Sequence, residues 1–167
     1  MLKQYAAEEA LEQLDQHVRH QSQGAGVCAE ELPWVAMPVK KKIGHIKSEW
    51  QAAYQLENEG QQDKYEKEAK YLYGLLREAW ERAVEEVLLN NVVGRFQIDV
   101  QTRRLKVVDI DVSDYGALEV GMAKCSKWLP GHDKAAADRT PVPGAAELKT
   151  NIEALENWIA AIRRRRS

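Results

Sequence analysis

The apolar positions of the chain recur at steps of three and four over two long stretches, which is the period of an α-helix. The first helix is predicted to begin at Met37-Pro38, since proline at the first helical position gives up only an amide that has no partner within the helix. The stripe lapses at 57–60 and then resumes, continuing to about Val93. Two long helices joined by a short polar turn predict an antiparallel hairpin. The apolar positions of the two stripes are Val39, Ile43, Ile46, Trp50 and Ala53, and then Tyr65, Ala69, Leu72, Leu76, Ala79, Ala83 and Val87.

Weaker patterns precede this hairpin. Apolar residues at positions 2, 6, 10 and 14 share one face and predict a short N-terminal helix. Residues 14–21 favour a short strand. Residues 21–31 are predicted to form a loop, because they contain Gly24 and Gly26 and have no periodicity.

The region after the hairpin changes period at Arg95. Apolar residues alternate with polar ones up to Val108, which leaves two short strands around 101–103 or a plain loop. Ser113 is the predicted N-cap of a further helix. Its apolar face is Tyr115, Leu118, Met122, Cys125 and Leu129, and that of the last helix is Leu148, Ile152, Leu155, Trp158, Ile159 and Ile162.

These elements predict a mainly α protein with room for a small two-stranded β element. The chain has 167 residues, which suits one domain and is too short for a complete motor ATPase. Hydrophobic residues make up 44% and charged residues 30%, a globular composition. We therefore expect a single helical domain over 1–167, built from an N-terminal segment 1–36, a long helix hairpin 37–93 and C-terminal helices and loops 94–167. The five tryptophans are expected to pack in its core.

The charge is nearly balanced, with 24 Lys and Arg against 26 Asp and Glu. A net charge of −2 creates no global field toward nucleic acid, so such binding would need a local basic cluster. Two internal basic clusters, around 40–42 and around 103–106, could supply it, but solvated helix faces explain them equally well. The terminal arginines suit the negative end of a helix dipole. The candidate nucleic-acid-binding residues are Lys40, Lys41, Lys42, Arg103, Arg104 and Lys106.

The sequence lacks the motifs of cofactor and metal sites. It contains no G-x-x-x-x-G-K-[ST] phosphate loop, and no further ligand completes a metal site around His17 and His20. Cys28 and Cys125 are far apart and are expected to be reduced thiols. No run of 18 apolar residues occurs. We therefore expect no cofactor, no metal, no membrane partner and a cytoplasmic location.

One side-chain constellation suggests chemistry. Arg82 and Glu86 lie four residues apart on the second long helix, so their side chains meet. A structural ion pair explains this spacing, and so does a ribonuclease site. Cleavage of RNA without a metal needs a base, an acid and a cation for the phosphorane. His132 is the candidate third member, because no other histidine follows position 45.

Four sequence segments resemble the C-terminal region of a group of bacterial AAA-family ATPases, the large ABC/SMC-like P-loop proteins related to the PrrC and RloC anticodon nucleases. The strongest part is the tryptophan-anchored helix together with KCSKW. The segments are GAGVCAEELPWVAMPVKKKIGHIK at 24–47, EAWERAVEEVLLNNVVGRF at 78–96, VQTRRLK at 100–106 and GMAKCSKW at 121–128.

This resemblance implies a piece that lies downstream of the nucleotide site, so ATPase activity is not expected from this chain alone. PrrC-like nucleases use an arginine, a glutamate four residues on and a more distant histidine, which Arg82, Glu86 and His132 match in type. The resemblance also implies a role in phage defence or DNA repair. Two functions stay open: a non-catalytic accessory module that binds an ATPase domain or a second copy of itself, and a metal-independent ribonuclease acting on RNA such as tRNA.

Overall fold

The computed structural model describes residues 17–21, 24–29, 32–128 and 141–167. The chain divides into two compact units, residues 1–37 and 38–167. The larger unit contains four helices in its described parts, which confirms the mainly α class. They are α1 (Val39–Asn58), α2 (Gln62–Ala83), α3 (Val112–Ser126) and α4 (Ala145–Arg165). One domain over 1–167 stays a prediction.

The smaller unit contains two antiparallel strands, β1 (His17–Gln21) and β2 (Gly24–Ala29). Val18 lies opposite Cys28, and the register shifts between Arg19 and Gln21. The loop predicted over 21–31 is therefore wrong at 24–29, because pairing with β1 supplies backbone partners that a sequence pattern does not register. The helix predicted around residues 2–14 lies outside the described residues.

The predicted hairpin of α1 and α2 is confirmed. Four of the five apolar positions assigned to α1 are buried, and Trp50 is half-buried with its indole N–H donating to the carbonyl of Ala145. The turn between the helices includes Gly60 with a φ of 71°, a left-handed conformation that glycine adopts without steric cost. The two helices therefore pack along most of their length.

The second helix ends differently from the prediction. Its α-helical part stops at Ala83 and continues as a single π turn over Val84–Leu88, in which the N–H of Leu89 donates to the carbonyl of Val84. Asn90 and Asn91 follow with positive φ angles of 49° and 52°, a conformation that asparagine tolerates better than most residues. The chain thus leaves the helix axis several residues before Val93.

The strands predicted around 101–103 are wrong. The N–H of Gln101 donates to the carbonyl of Val92, which closes a loop, and a 3₁₀ turn follows over Thr102–Val107. Within 38–128 and 141–167 the structure contains no strand. The alternating residues therefore have no neighbouring strand to complete a ladder, and Arg95 to Val100 are all exposed.

The N-cap of helix α3 lies two residues before the predicted one. Asp111, not Ser113, is the N-cap, and its carboxylate accepts the N–H of Ser113 at 2.7 Å. The predicted apolar face is also wrong in part, since Tyr115 is exposed and Asp114 is buried, whereas Cys125 is buried as predicted. Asp114 is buried because Arg165 pairs with its carboxylate and the indole N–H of Trp158 donates to its carbonyl.

Helix α4 receives its N-terminal cap from another helix. Gly144 at its N-cap has no side chain, and the carboxylate of Glu57 accepts the N–H of Ala145 at 3.1 and 3.2 Å. The core lies between α4 and the hairpin. Trp80 and Trp158 pack there with ring centroids 5.2 Å apart, which confirms the core prediction for these two tryptophans.

Candidate functional site

Arg82 and Glu86 meet at the junction between α2 and the π turn, as their spacing predicts. Arg82 Nε lies 3.5 Å from Glu86 Oε2, and Arg82 Nη1 lies 3.0 Å from Glu85 Oε2. Both side chains of the predicted pair are largely buried, with 16% and 21% of their surface exposed. Two carboxylates thus reach the same guanidinium, from positions three and four residues after Arg82.

Glu86 has a second partner that explains its position. Its Oε2 accepts the backbone N–H of Val39, the first residue of α1, at 2.9 Å. Pro38 at the N-cap of α1 has no side-chain acceptor for the exposed amides of the first turn. Glu86 therefore caps α1 from a distance of 47 residues in sequence.

A second arginine closes this cluster. Arg95 Nη2 lies 2.7 Å from Glu85 Oε1 and 3.8 Å from Glu81 Oε2. Burial raises the pKa of Glu85, but the hydrogen bonds from Arg95 and Arg82 outweigh it, so the pKa of this carboxyl lies below its ordinary value. A carboxyl held ionised in this way is suited to binding a cation and poorly suited to donating a proton.

The remaining member of the predicted ribonuclease set is not placed. His132 lies outside the described residues, so its approach to Arg82 stays a prediction. The described part of the chain also contains no group of three or more His, Cys, Asp or Glu side chains that could hold a metal ion.

The predicted nucleic-acid-binding residues fall into different environments. Lys40 and Lys41 are exposed on the first turn of α1, whereas Lys42 is buried and its ammonium lies 3.9 Å from Glu78. Lys42 therefore does not present its charge at the surface. The other three lie together on the 3₁₀ turn, where Arg103 and Lys106 are exposed and Arg104 is half-buried.

Lys42 gives the unit a pH-dependent stability. Burial lowers its pKa from 10.5 to about 8, and the nearby Glu78 opposes this shift. Because the folded pKa is below the unfolded one, the unfolded chain binds more protons between these values and stability rises with pH. We expect the unfolding free energy of the wild type, measured by urea denaturation, to rise between about pH 8 and about pH 10.5 relative to Lys42→Met.

The difference between the wild type and Lys42→Met isolates this lysine. The raised pKa values of Cys125 and Tyr73 are common to both chains and cancel. At neutral pH Lys42→Met should be more stable by about 1–3 kcal/mol, because it removes a charge from the interior. A pH dependence that is the same in both proteins would contradict the buried position of this ammonium.

The terminal arginines include two structural residues that sequence reasoning missed. Arg166 Nη1 and Nη2 donate to the carbonyls of Val87 and Leu88 at 2.6 and 2.7 Å, so this side chain caps the π turn. Arg165 pairs with Asp109 at 2.8 Å and with Asp114. Arg163 and Arg164 are exposed. A run of arginines in the sequence does not show which of them bond to distant residues.

Exposed hydrophobic residues concentrate over residues 93–120, here called the apolar segment. Ten of the thirteen exposed large hydrophobic residues of the described chain fall within it, and the side chain of Ile98 is fully exposed. Helix α3 contributes because it is apolar around most of its circumference, yet only Asp114 and Cys125 are buried. The ten residues are Val93, Phe96, Ile98, Val100, Leu105, Val107, Ile110, Val112, Tyr115 and Val120.

Comparisons with protein-family models, with curated proteins and with solved structures found no match for this chain. Its resemblance to the AAA-family ATPases therefore stays a prediction from the quoted segments. Among the described residues, no helix has both the length and the apolar character that crossing a bilayer requires.

Proposed function

We propose that this chain is a non-catalytic helical interaction module, whose apolar segment 93–120 docks on another protein. The observation that carries the proposal is the concentration of exposed hydrophobic residues in that segment. Large exposed apolar patches on folded proteins mark interaction sites, because leaving them in water costs free energy that a partner recovers.

The partner that we propose is an ATPase domain or a second copy of the chain. The resemblance favours an ATPase, since it places this region downstream of a nucleotide site that the chain lacks. The basic residues Arg103 and Lys106 lie within the same segment and would favour a partner whose apolar surface has an acidic rim. A role in phage defence or DNA repair follows from the resemblance alone.

The arrangement around Arg82 supports the non-catalytic alternative over the ribonuclease. Glu86 accepts the first amide of α1, and Arg82 lies between Glu85 and Glu86. Both side chains are thus bound to protein groups that a reacting phosphate would have to displace, at the cost of a helix cap. A structural ion pair accounts for their geometry without further assumptions.

Site-specific photocrosslinking in the native cells tests this function. A photoreactive phenylalanine is placed at Phe96 or Val120 in the apolar segment, and at Tyr71, an exposed aromatic position on α2, as the matched control. We expect one discrete protein adduct from Phe96 and Val120 and none from Tyr71. Mass spectrometry of the adduct then distinguishes an ATPase from a second 19.0 kDa chain. Equal labelling at all three positions, or a nuclease-sensitive adduct, would contradict the proposal.

A further inference from the structure

An open groove with a volume of about 680 Å³ lies between α1 and α4. Its apolar lining residues Val39, Ile43 and Ile159 are each at most 6% exposed, so they present little apolar surface. Gly44 and Ala160 also line the groove and, being small, fill little of it. A Cβ atom at Gly44 would meet no atom within 4 Å. The groove is thus accessible, but it offers a partner little hydrophobic stabilisation.

The charged residues of the groove are mainly cations. Lys40 and Lys47 of α1 and Arg163 of α4 line it, and all three are exposed. Lys47 pairs at 2.6 Å with Glu156, which is the one carboxylate among the described lining residues. Within the described ranges, the side chains of Lys40 and Arg163 have neither an ion pair nor a hydrogen bond. These two residues therefore bring unpaired positive charge from two different helices to one groove.

The carboxylates near this end of the two helices are bound to other groups. Glu86 accepts the N–H of Val39 and pairs with Arg82. Asp109 pairs at 2.8 Å with Arg165, close to the end of α4. Because these carboxylates are engaged, the positive charge of the groove stays uncompensated within the described chain, which favours a bound anion.

Lys40 and Lys41 occupy positions that are unfavourable for helix stability. Both lie in the first turn of α1, which contains no acidic residue. The N-terminus of a helix is the positive end of its dipole, so lysines there weaken the helix. Residues that oppose local stability without a compensating contact are expected at functional sites. A bound anion therefore explains these lysines better than folding does.

We propose that this groove binds the phosphate backbone of double-stranded DNA, with Lys40 on one side and Arg163 on the other. Contacts to phosphate depend on charge and not on apolar area, and they supply most of the affinity of sequence-independent binding. The unpaired cations and the small apolar surface of the groove match this pattern. A protein partner would instead need a desolvated apolar centre that contributes most of the binding energy.

The lining residues favour duplex DNA over other polyanions. Proteins bind single strands largely by stacking bases on aromatic side chains, and no described lining residue is aromatic. Recognition of RNA uses its 2′-hydroxyl groups. No described lining residue has a hydroxyl or amide side chain, and Glu156 is paired with Lys47. A bilayer partner would need exposed apolar groups to insert, and none of the exposed large hydrophobic residues of the described chain lines the groove.

This DNA-binding surface is distinct from the apolar segment, because all of its described lining residues belong to α1 and α4. The inference goes beyond the proposed function and does not depend on it, since DNA bound here would not use residues 93–120. It also changes the set of residues that the sequence suggested. Arg163 joins Lys40, whereas the buried Lys42 is left out.

Fluorescence anisotropy of a labelled DNA duplex of about 24 base pairs tests the proposal with the whole chain, over about 20–200 mM salt. The groove variant combines Lys40→Gln with Arg163→Gln. The matched control combines Lys64→Gln with Lys67→Gln, which removes the same charge from exposed positions of α2. We expect the groove variant to bind at least about tenfold more weakly at the lowest salt, and the slope of log K against log salt to become less steep by about 2. The control should change the affinity less than about threefold.

A charge-preserving variant separates the effect of charge from that of shape. Lys40→Arg with Arg163→Lys keeps both cations and should bind DNA as the wild type does, and all variants should show the helical circular dichroism of the wild type. Equal loss of affinity in the groove and control variants would overturn the proposal. So would the absence of binding by the wild type up to about 200 μM protein at about 20 mM salt. Tighter binding to an RNA duplex or a single strand of the same sequence, to polyglutamate or to phosphatidylserine vesicles would overturn it as well, by identifying a different partner.

Discussion

Replacing Gly121 with alanine is expected to lower the free energy of unfolding by about 1–3 kcal/mol, because overpacking a close contact forces side chains or backbone to shift. The new methyl group would lie 2.5 Å from Cε2 and 2.6 Å from Cζ2 of Trp80. The indole cannot withdraw easily, since it is 2% exposed and packs against Trp158. Urea denaturation followed by circular dichroism measures the change.

Gly116→Ala is the matched control in the same helix. A Cβ atom at Gly116 would meet no atom within 4 Å, and its φ is negative. Alanine should therefore stabilise the protein by about 0.5–1 kcal/mol, through the lower backbone entropy of the unfolded chain. The two glycine variants thus have opposite signs. If both changed stability in the same direction, α3 would not lie against Trp80 as described.

Replacing Glu86 with alanine is the second large effect that we expect, a loss of about 2–3 kcal/mol of unfolding free energy. The variant removes the acceptor of the Val39 N–H and one of the two carboxylates bound to Arg82. Glu66→Ala is the control, because within the described parts of the chain Glu66 pairs only with the half-exposed Lys70 at 4.0 Å, and its loss should cost less than about 0.5 kcal/mol. Equal stability of the two variants would contradict the capping of α1 by Glu86.

A nuclease assay on the same protein separates the capping role from a catalytic one. We expect no cleavage of total tRNA by the wild type, because Glu86 and Arg82 are bound to protein groups. Cleavage by the wild type that Glu86→Gln and His132→Ala both abolish, with folding intact by circular dichroism, would contradict this expectation and establish the ribonuclease alternative.

The helices could be predicted from sequence because their evidence is local. The apolar stripe from Val39 to Ala53 has the period of a buried helix face, and the structure buries it. The alternation at 96–100 was equally local, yet no strand formed, because a strand also needs a neighbour that the pattern does not supply. The π turn after Ala83 depends in the same way on distant groups, since Arg166 caps its carbonyls.

The candidate site likewise combines a local contact that the sequence predicts with a long-range contact that it does not. The meeting of Arg82 and Glu86 follows from their spacing on one helix, but the bond from Val39 to Glu86 joins residues 47 positions apart. The spacing of Lys42 from its apolar neighbours indicated burial, which the prediction overlooked. It follows Val39 by three residues and precedes Ile46 by four, so it belongs to the buried stripe and not to the basic face.

The exposed residues of α3 show why a surface can be harder to predict than a core. The sequence placed Tyr115 on the buried face, because an apolar helix is normally covered. In the structure Asp114 occupies that face through its bonds with Arg165, and Tyr115 and Val120 are left in water. A sequence pattern records that a side chain is apolar but does not say which molecule covers it.

Photocrosslinking from the apolar segment tests the central claim most directly, since it reports contact at a named residue in the cell. The account predicts a discrete protein adduct from Phe96 and Val120 and none from Tyr71, and it predicts that Ile98→Asp, in the middle of the segment, reduces that adduct severalfold. An adduct that is absent, that is equally strong from Tyr71, or that consists of nucleic acid would contradict the claim that residues 93–120 dock on a protein.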